Sequence, residues 1–391
     1  MKIREVSIVG YRSLRAIRFP VGQLTVFIGA NGAGKTNLYR ALQLLQAAAA
    51  GTLAREIASE GGMDSAVWAG KRKVNAPVRI KLCVSLGADT DKAGQSSFDY
   101  DEAAGVTYSY AIEVGLPAPG MAALGLEPQV KEETLIYHGA ARPLTVLDRN
   151  ARRTTVIDDK GNKHALSDEV LPTETALAAL RDPGRFGDIE VVRRTLQDWR
   201  FYHDFRSDKD SPLRQPCLAV TTPTLASDGS DLAAVFATLI GIRQDATELF
   251  EAIDDAFPGA RLHTTVSRTA AFGLTQAEFH PKRLFEANEL SDGTLRYLAL
   301  AGALLSYRLP GFVALNEPEA SLHPELLEPL ARLIVRAAER TQVWVVTHSE
   351  RLANALSSVG GIAPRTVIKK SGETWIDGLK LSGSFAQDDD D

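Results

Sequence analysis

Leu24-Thr25-Val26-Phe27-Ile28-Gly29-Ala30-Asn31-Gly32-Ala33-Gly34-Lys35-Thr36 decides how the rest of the chain is read. Leu24 to Ile28 is a compact apolar run with the composition of a buried strand. The next eight residues carry the pattern Gly29-x-x-x-x-Gly34-Lys35-Thr36. After them Leu38, Leu42, Leu44 and Leu45 mark a helix from about Thr36 into an alanine-rich stretch. A strand, a glycine turn and a helix in that order aim backbone N–H groups and the positive helix end at an anion. Gly29, Ala30, Asn31, Gly32, Ala33, Gly34, Lys35, Thr36 and Asn37 are therefore the expected phosphate cradle. Lys35 is placed to reach the β- and γ-phosphates, and the Thr36 hydroxyl to ligate Mg²⁺. ATP with Mg²⁺ is the implied cofactor pair.

Three further segments belong with the loop. Phe312-Val313-Ala314-Leu315-Asn316-Glu317-Pro318-Glu319 is an apolar strand that ends in polar groups, the pattern of a parallel strand buried on both faces. Beside a nucleotide such a strand delivers a magnesium-directed residue, here Asn316, and then a carboxylate able to polarise water, here Glu317. Asn316 stands where an Asp is expected. Its amide can accept a hydrogen bond from a metal-bound water but brings no charge, so weaker metal binding and slow turnover are expected. Glu317 is also counted with the metal. Glu319 reads equally as a helix-start charge. Leu290-Ser291-Asp292-Gly293-Thr294 opens the helix Leu295–Ser306 and alone is a capping turn, but it lies 26 residues before Glu317. Val343-Trp344-Val345-Val346-Thr347-His348-Ser349 is another buried strand, which brings His348 to within reach of a γ-phosphate, 31 residues past Glu317.

These four segments, in this order, resemble the ABC ATPase superfamily. Gly29–Thr36 takes the place of the Walker A loop, 312–317 of the Walker B strand and Leu290–Thr294 of the signature. His348 takes that of the switch histidine, and Ala320-Ser321-Leu322-His323 that of the D-loop. The opening Val6-x-x-x-Gly10-Tyr11-Arg12-Ser13-Leu14 is similar to the first strand of RecF/SMC/Rad50-like ATPases. The wordings from Leu290 to Leu300 and from Asn316 to Pro324 are similar to that branch as well. Within it the chain resembles the RecF-like predicted AAA ATPases, relatives of the OLD-family ATPase domains, and Leu225–Ala233 also looks like that group. The resemblance covers roughly residues 1–50 and 285–355. It implies catalytic roles for Glu317, His348 and Lys35. It also implies a head-to-tail pair of copies in which Ser291 and Gly293 of one close on ATP held by the other, so a homodimer or higher homo-oligomer forms with ATP. DNA repair, recombination or antiphage defence is the implied setting. The rival reading is an ATP-gated scaffold that works with a separate nuclease or toxin and does not touch DNA. The OLD relatives carry a Toprim nuclease after the head, and too little chain follows His348 for one, so a nuclease partner would be a separate protein. No glutamine is assignable as a Q-loop, and no heptad pattern runs between 50 and 280, which excludes a long coiled coil. Thr294, where transporter signatures have Gln, speaks against a transporter subunit.

The fold class expected is α/β: an ABC-type P-loop head with a mostly parallel sheet, an antiparallel β subdomain and an inserted helical region. Boundaries fall at 1–55 for the first lobe of the head, 56–172 for a β-rich insertion, 173–284 for a mainly helical insertion and 285–391 for the second lobe. Short alternating runs between turn residues (Val78–Val84, Thr107–Val114, Thr134–Tyr137, Thr154–Ile157) carry the β assignment.

Net charge of −5 excludes a generally basic nucleic-acid sleeve. DNA contact would have to use local clusters: Lys71-Arg72-Lys73, Arg149 with Arg152-Arg153, or Arg193-Arg194. Cys83 and Cys217 make neither a disulfide framework nor a zinc set, which fits a reducing cytoplasm. Met1-Lys2-Ile3-Arg4 runs straight into a strand pattern, unlike a leader. The longest apolar stretch, Tyr297 to Ser306, is far short of the ~20 residues of a membrane helix, so no membrane contact is expected. Within Trp199–Phe205, His203 beside Asp204 reads as a satisfied histidine in an aromatic cluster rather than a metal pair. His323 before Pro324 reads as a turn or D-loop residue, and Gln387–Asp391 as a solvated acidic end.

Overall fold

The computed structural model describes residues 1–71, 77–88, 107–117, 124–139, 142–150, 153–166, 170–203, 205–243, 246–277 and 283–385. Arg72, Lys73, Arg152, Asp204 and the tail 387–391 lie outside them. In chain order the strands are β1 (Lys2–Tyr11), β2 (Leu14–Pro20), β3 (Leu24–Ile28), β4 (Arg79–Gly87), β5 (Tyr108–Gly115), β6 (Gln129–Tyr137), β7 (Leu144–Asn150), β8 (Thr154–Ile157) and β9 (Lys163–Ala165). They continue as β10 (Arg200–Tyr202), β11 (Cys217–Leu218), β12 (Arg261–Val266), β13 (Thr269–Thr275), β14 (Phe285–Glu286), β15 (Phe312–Asn316), β16 (Gln342–Thr347), β17 (Arg365–Lys370) and β18 (Glu373–Ile376). The helices are α1 (Lys35–Ala50), α2 (Leu53–Ser59), α3 (Gly62–Ala66), α4 (Ala176–Ala179), α5 (Gly187–Asp198), α6 (Leu232–Arg243), α7 (Thr247–Ala256), α8 (Asp292–Leu305), α9 (Leu327–Ala338) and α10 (Glu350–Gly360).

The chain forms two compact units. One comprises 1–22, 29–199 and 366–391; the other comprises 23–28 and 200–365. The first unit is built on an eight-stranded antiparallel sheet in the order β2-β1-β4-β5-β6-β7-β8-β9. Along β4 and β5 buried residues alternate with half-exposed ones, the period-2 pattern of a sheet with one covered face. Helix α1 buries Leu38, Leu42 and Leu45. Its last carbonyls, which no helical N–H can reach, are taken by side chains from farther along: Thr175 donates to Ala48, Gln197 to Ala49, and Gly51 turns the chain at φ 81°.

The second unit is organised around four parallel strands in the order β10-β15-β16-β3. Every residue of β15 and β16 is buried, as their unbroken apolar runs require of a sheet covered on both faces. Trp344 fills the middle, its ring 4.6 Å from Phe27 and 6.4 Å from Phe312. Helix α9 presses Leu330, Leu333 and Ile334 inward. Its outer arginines pair with α7: Arg332 with Asp255, Arg336 with Glu251, and Arg340, just past the helix, with Glu248. A small antiparallel sheet, β11-β13-β12 with β14 beside β13, adjoins α6.

The register of the four parallel strands positions the chemistry. Ile28 pairs with Thr347, Asn316 with Val346, and Tyr202 with Leu315. The carboxyl ends of β3, β16, β15 and β10 therefore finish along one sheet edge, where ligands of open α/β sheets are received. The residue after Ile28 is Gly29.

Candidate nucleotide site

The loop, in the first unit, is shaped by backbone. Gly32 and Gly34 have φ of 76° and 102°, values a Cβ resists. A Cβ on Gly34 would come within 1.9 Å of Thr374 Oγ1 and 2.7 Å of Ser13 Oγ, and one on Gly29 within 2.4 Å of the Val367 carbonyl oxygen. At Gly32 nothing lies within 4 Å, so that glycine serves the turn and leaves the space beside it open. Gly34 also forms the N-cap of α1, and the positive end of a sixteen-residue helix faces the turn. Lys35, 4% exposed, donates from Nζ to the carbonyls of Gly29 at 2.5 Å and Ala30 at 3.0 Å. The ammonium is thereby held over the loop. Ala30, Asn31 and Gly32 are exposed, Ala33 is buried, and Thr36 is half-buried.

A chain of side-chain hydrogen bonds fastens the loop from beneath. Asn37 Nδ2 donates to Ser13 Oγ at 2.6 Å, Ser13 Oγ meets Thr374 Oγ1 at 2.6 Å, and Thr374 Oγ1 donates to the Ala33 carbonyl at 2.8 Å. Each hydroxyl has one proton. Thr374 uses its proton on Ala33, so Ser13 is the donor between the two, and the relay has one direction. Asn37 thus ends on Ser13. Ser13 was legible only as part of the opening wording, and Thr374 carried no signal at all.

The strand-end cluster, in the second unit, is shaped by side chains. Glu317 lies just past β15 at φ 51°, a left-handed conformation costly for a residue with a Cβ. Its N–H donates to the Val346 carbonyl at 2.7 Å, so the strand ladder fixes the bend while the carboxylate stays 37% exposed. His348 Nδ1 lies 3.8 Å from Glu317 Oε2 and 3.4 Å from Glu319 Oε1. Glu319 is buried. Its Oε1 accepts from Thr347 Oγ1 and from the N–H groups of His348 and Ser349 at 2.5, 3.1 and 3.2 Å, which orders the corner carrying His348. Glu319 Oε2 has no partner among the described residues.

Asn316, 1% exposed, donates from Nδ2 to His203 Nδ1 at 2.6 Å. Its Oδ1 is buried without a partner among the described residues. A neutral buried oxygen with spare acceptor capacity fits a water of a magnesium shell. Among the described residues no group of three or more His, Cys, Asp or Glu could hold a metal ion.

The signature residues occupy the start of α8. Ser291 is exposed and caps the helix, accepting from the Thr294 N–H at 3.2 Å. Arg214 ties this turn down, donating to the carbonyls of Ala287, Asn288 and Leu290 and pairing with Asp292 at 2.6 Å. A Cβ on Gly293 would stand 3.1 Å from the Ser321 carbonyl oxygen, and Arg296 Nη1 donates to the Ala320 carbonyl at 2.7 Å. The signature turn therefore rests on residues 320–321, where Ser321 has φ 62°. His323 Nδ1 accepts from the Glu325 N–H, a turn role.

The basic clusters fare differently. Arg149 is buried, donating to the carbonyls of Leu171 and Glu174 beside Glu133. Arg193 and Arg194 both pair with Glu190, whose carboxyl they hold below its ordinary range. Lys71 and Arg153 are exposed. Among the described residues no helix is long and apolar enough to cross a membrane.

The family profile described as "AAA domain, putative AbiEii toxin, Type IV TA system" matches residues 24–354, from the first residue of β3 to beyond His348. No curated protein matches the chain. Among solved structures the chain is similar to an SMC head bound to the C-winged helix domain of ScpA, with 13% identity, 98% of this chain and 99% of that one covered, and a TM-score of 0.53. SMC heads from Thermotoga maritima (13% identity, 97% and 100% covered, TM-score 0.43) and Pyrococcus furiosus (13%, 97% and 97%, 0.49) align more loosely. The first likeness shows the fold, an ABC-type P-loop NTPase head. With the profile spanning most of its length, the chain belongs to the AAA-domain family of that description.

Proposed function

We propose that the chain binds ATP with Mg²⁺ on the loop Gly29–Thr36 and hydrolyses it slowly, and that ATP gates the pairing of two copies. The observation that carries this reading is the strand register. Ile28, the residue before the loop, is paired with Thr347, and the polar ends of β16 and β15 follow on the same sheet edge.

In this reading the loop N–H groups and the N-terminus of α1 bind the phosphates, and Lys35 moves from the loop carbonyls to the β- and γ-oxygens. Glu317 takes the proton of the attacking water. His348, steadied by Glu319, hydrogen-bonds the γ-phosphate. Mg²⁺, when bound, neutralises phosphate charge. Thr36 would hold it directly and Asn316 through a water, and Glu317 would add a carboxylate to the metal's surroundings. A neutral Asn316 gives the metal less electrostatic hold than a carboxylate, hence slow turnover.

The exposed Ser291 on a turn braced by Arg214 and by residues 320–321 supports a role in trans, toward ATP on a second copy. ATP would then favour the pair and hydrolysis release it. Size in solution with ATP and Mg²⁺ tests this for Glu317→Gln. A dimer at micromolar concentration is expected; a monomer with or without DNA contradicts it.

Two settings follow. The burial of Arg149 and the pairing of Arg193 and Arg194 take weight from DNA contact through those clusters, and Asn316 suits a slow timer. Both favour an ATP-gated regulator that acts with a separate effector, such as a nuclease or toxin, over a DNA-stimulated repair or antiphage ATPase. An ATPase rate raised several-fold by DNA, and falling steeply with salt, would reverse that preference.

A further inference from the structure

β15 is apolar and buried from Phe312 to Leu315, and then places a buried amide at Asn316. One end of that amide is satisfied and the other is not: Nδ2 meets His203, and Oδ1 meets nothing among the described residues. Leaving a buried acceptor unpaired is costly, and an apolar residue of similar shape would avoid the cost. A group kept in spite of that cost points to a use for Oδ1.

His203 decides which way the amide faces. It follows β10, and the pairing of Tyr202 with Leu315 sets it opposite Asn316 by register. Tyr202 is anchored by its hydroxyl on the Leu225 carbonyl at 2.9 Å, and its ring lies 5.5 Å from that of Phe205. Because Asn316 donates to Nδ1, that nitrogen is unprotonated and the ring proton sits on Nε2. Were the amide turned over, its oxygen would face the lone pair of Nδ1. In this tautomer the histidine favours the orientation in which Nδ2 faces it and Oδ1 is left free. A cavity of about 10 Å³, lined by His203, Arg296, Asn316 and Glu317 among others, lies beside the pair; that is room on the order of one water.

We propose that His203 is a positioning residue: it locks the Asn316 amide so that Oδ1 is presented as an acceptor to a water of the magnesium–nucleotide shell. This rests on the nucleotide reading above. An Asp at 316 could only accept from an Nδ1–H, whereas the amide donates to an unprotonated Nδ1 and keeps Oδ1 as a free acceptor.

The test measures equilibrium binding of a fluorescent ATP analogue, once in EDTA and once across a Mg²⁺ titration. The proteins are wild type, Lys35→Ala, His203→Ala, His203→Asn, Asn316→Ala and the double variant H203A/N316A. Asparagine keeps an acceptor near the place of Nδ1. Expected for His203→Ala is an affinity in EDTA within about twofold of wild type, with roughly a tenfold loss in the Mg²⁺ midpoint, the scale for losing a partner that orients a metal-site group. Asn316→Ala should lose as much, the double variant no more, and His203→Asn little. A purely structural histidine would move the EDTA and Mg²⁺ affinities together. The proposal is overturned if His203→Ala keeps the wild-type midpoint, if the two single losses multiply in the double variant, or if His203→Asn behaves like His203→Ala. If His203→Ala fails to fold, His203→Asn and Asn316→Ala carry the comparison. Failure of the nucleotide reading looks different: wild type would bind no better than Lys35→Ala in either condition.

Discussion

The glycine loop and the strand-end cluster solve the same problem, holding chemical groups at the edge of a sheet, by opposite means. The loop is written in backbone. Its glycines are required by φ angles and close approaches, and the groups proposed to meet the phosphates are main-chain N–H. The cluster is written in side chains. It borrows strand register to bring Asn316, Glu317 and His348 to one edge, and it needs Glu319 and His203 to aim them. A backbone device tolerates little change at a glycine but survives changes around it. A side-chain device keeps its place when one group changes, yet loses the function of that group. That difference can be broken or sharpened experimentally.

The largest expected effect belongs to the cluster. Glu317→Gln should lower single-turnover hydrolysis by roughly 10²–10⁴ while ATP affinity stays within about twofold. If affinity falls as far as rate, the division of labour between loop and cluster is wrong. Next comes Lys35→Ala, expected to weaken ATP binding by roughly 10- to 100-fold, the worth of charge-assisted contacts to phosphate; titration with a fluorescent nucleotide reads this.

Two glycines then separate turn from contact. Gly34→Ala must accept φ 102° and also displace Thr374 Oγ1 from 1.9 Å, so a stability loss of about 2–4 kcal/mol is expected. Gly32→Ala meets only the φ penalty, about 1–2 kcal/mol. Equal losses in chemical denaturation would show that the contact beneath the loop has no weight. The smallest effect is that of Thr374→Val, which removes the donor to Ala33 and the acceptor for Ser13. About 1 kcal/mol of stability and a few-fold loss of nucleotide affinity are expected, with hydrolysis of bound ATP unchanged.

The same contrast explains what the sequence disclosed. Gly29, Gly34 and Lys35 were legible because each residue type does a local backbone or charge task at fixed spacing. The parallel strands Phe312–Asn316 and Gln342–Thr347 were legible because unbroken apolar runs have one economical placement, a sheet covered on both faces. Ser13 and Thr374 were hidden because their meeting joins residues 361 apart, and no periodicity reports it. β10 is three residues long, too short for a period to show, so Trp199–Phe205 read as aromatic packing alone. His203 is satisfied, as expected, and Asn316 is among its partners. Glu319 stood between a helix-start charge and chemistry. Its burial under Thr347 and the 348–349 N–H groups makes it a brace for the histidine corner, a role that no spacing encodes. Arg149 shows the reverse error that charge alone invites: a cation in a basic run, yet spent on interior carbonyls.

The central claim, one ATP served by both the loop and the cluster, is tested most directly by the nucleotide retained on the protein. Wild type, Glu317→Gln and the double variant K35A/E317Q are incubated with radiolabelled ATP and Mg²⁺, separated from free nucleotide, and their bound ATP and ADP resolved. Wild type should retain mainly ADP, Glu317→Gln mainly ATP, and the double variant neither. ADP on Glu317→Gln at the wild-type level, or ATP retained without Lys35, would contradict it.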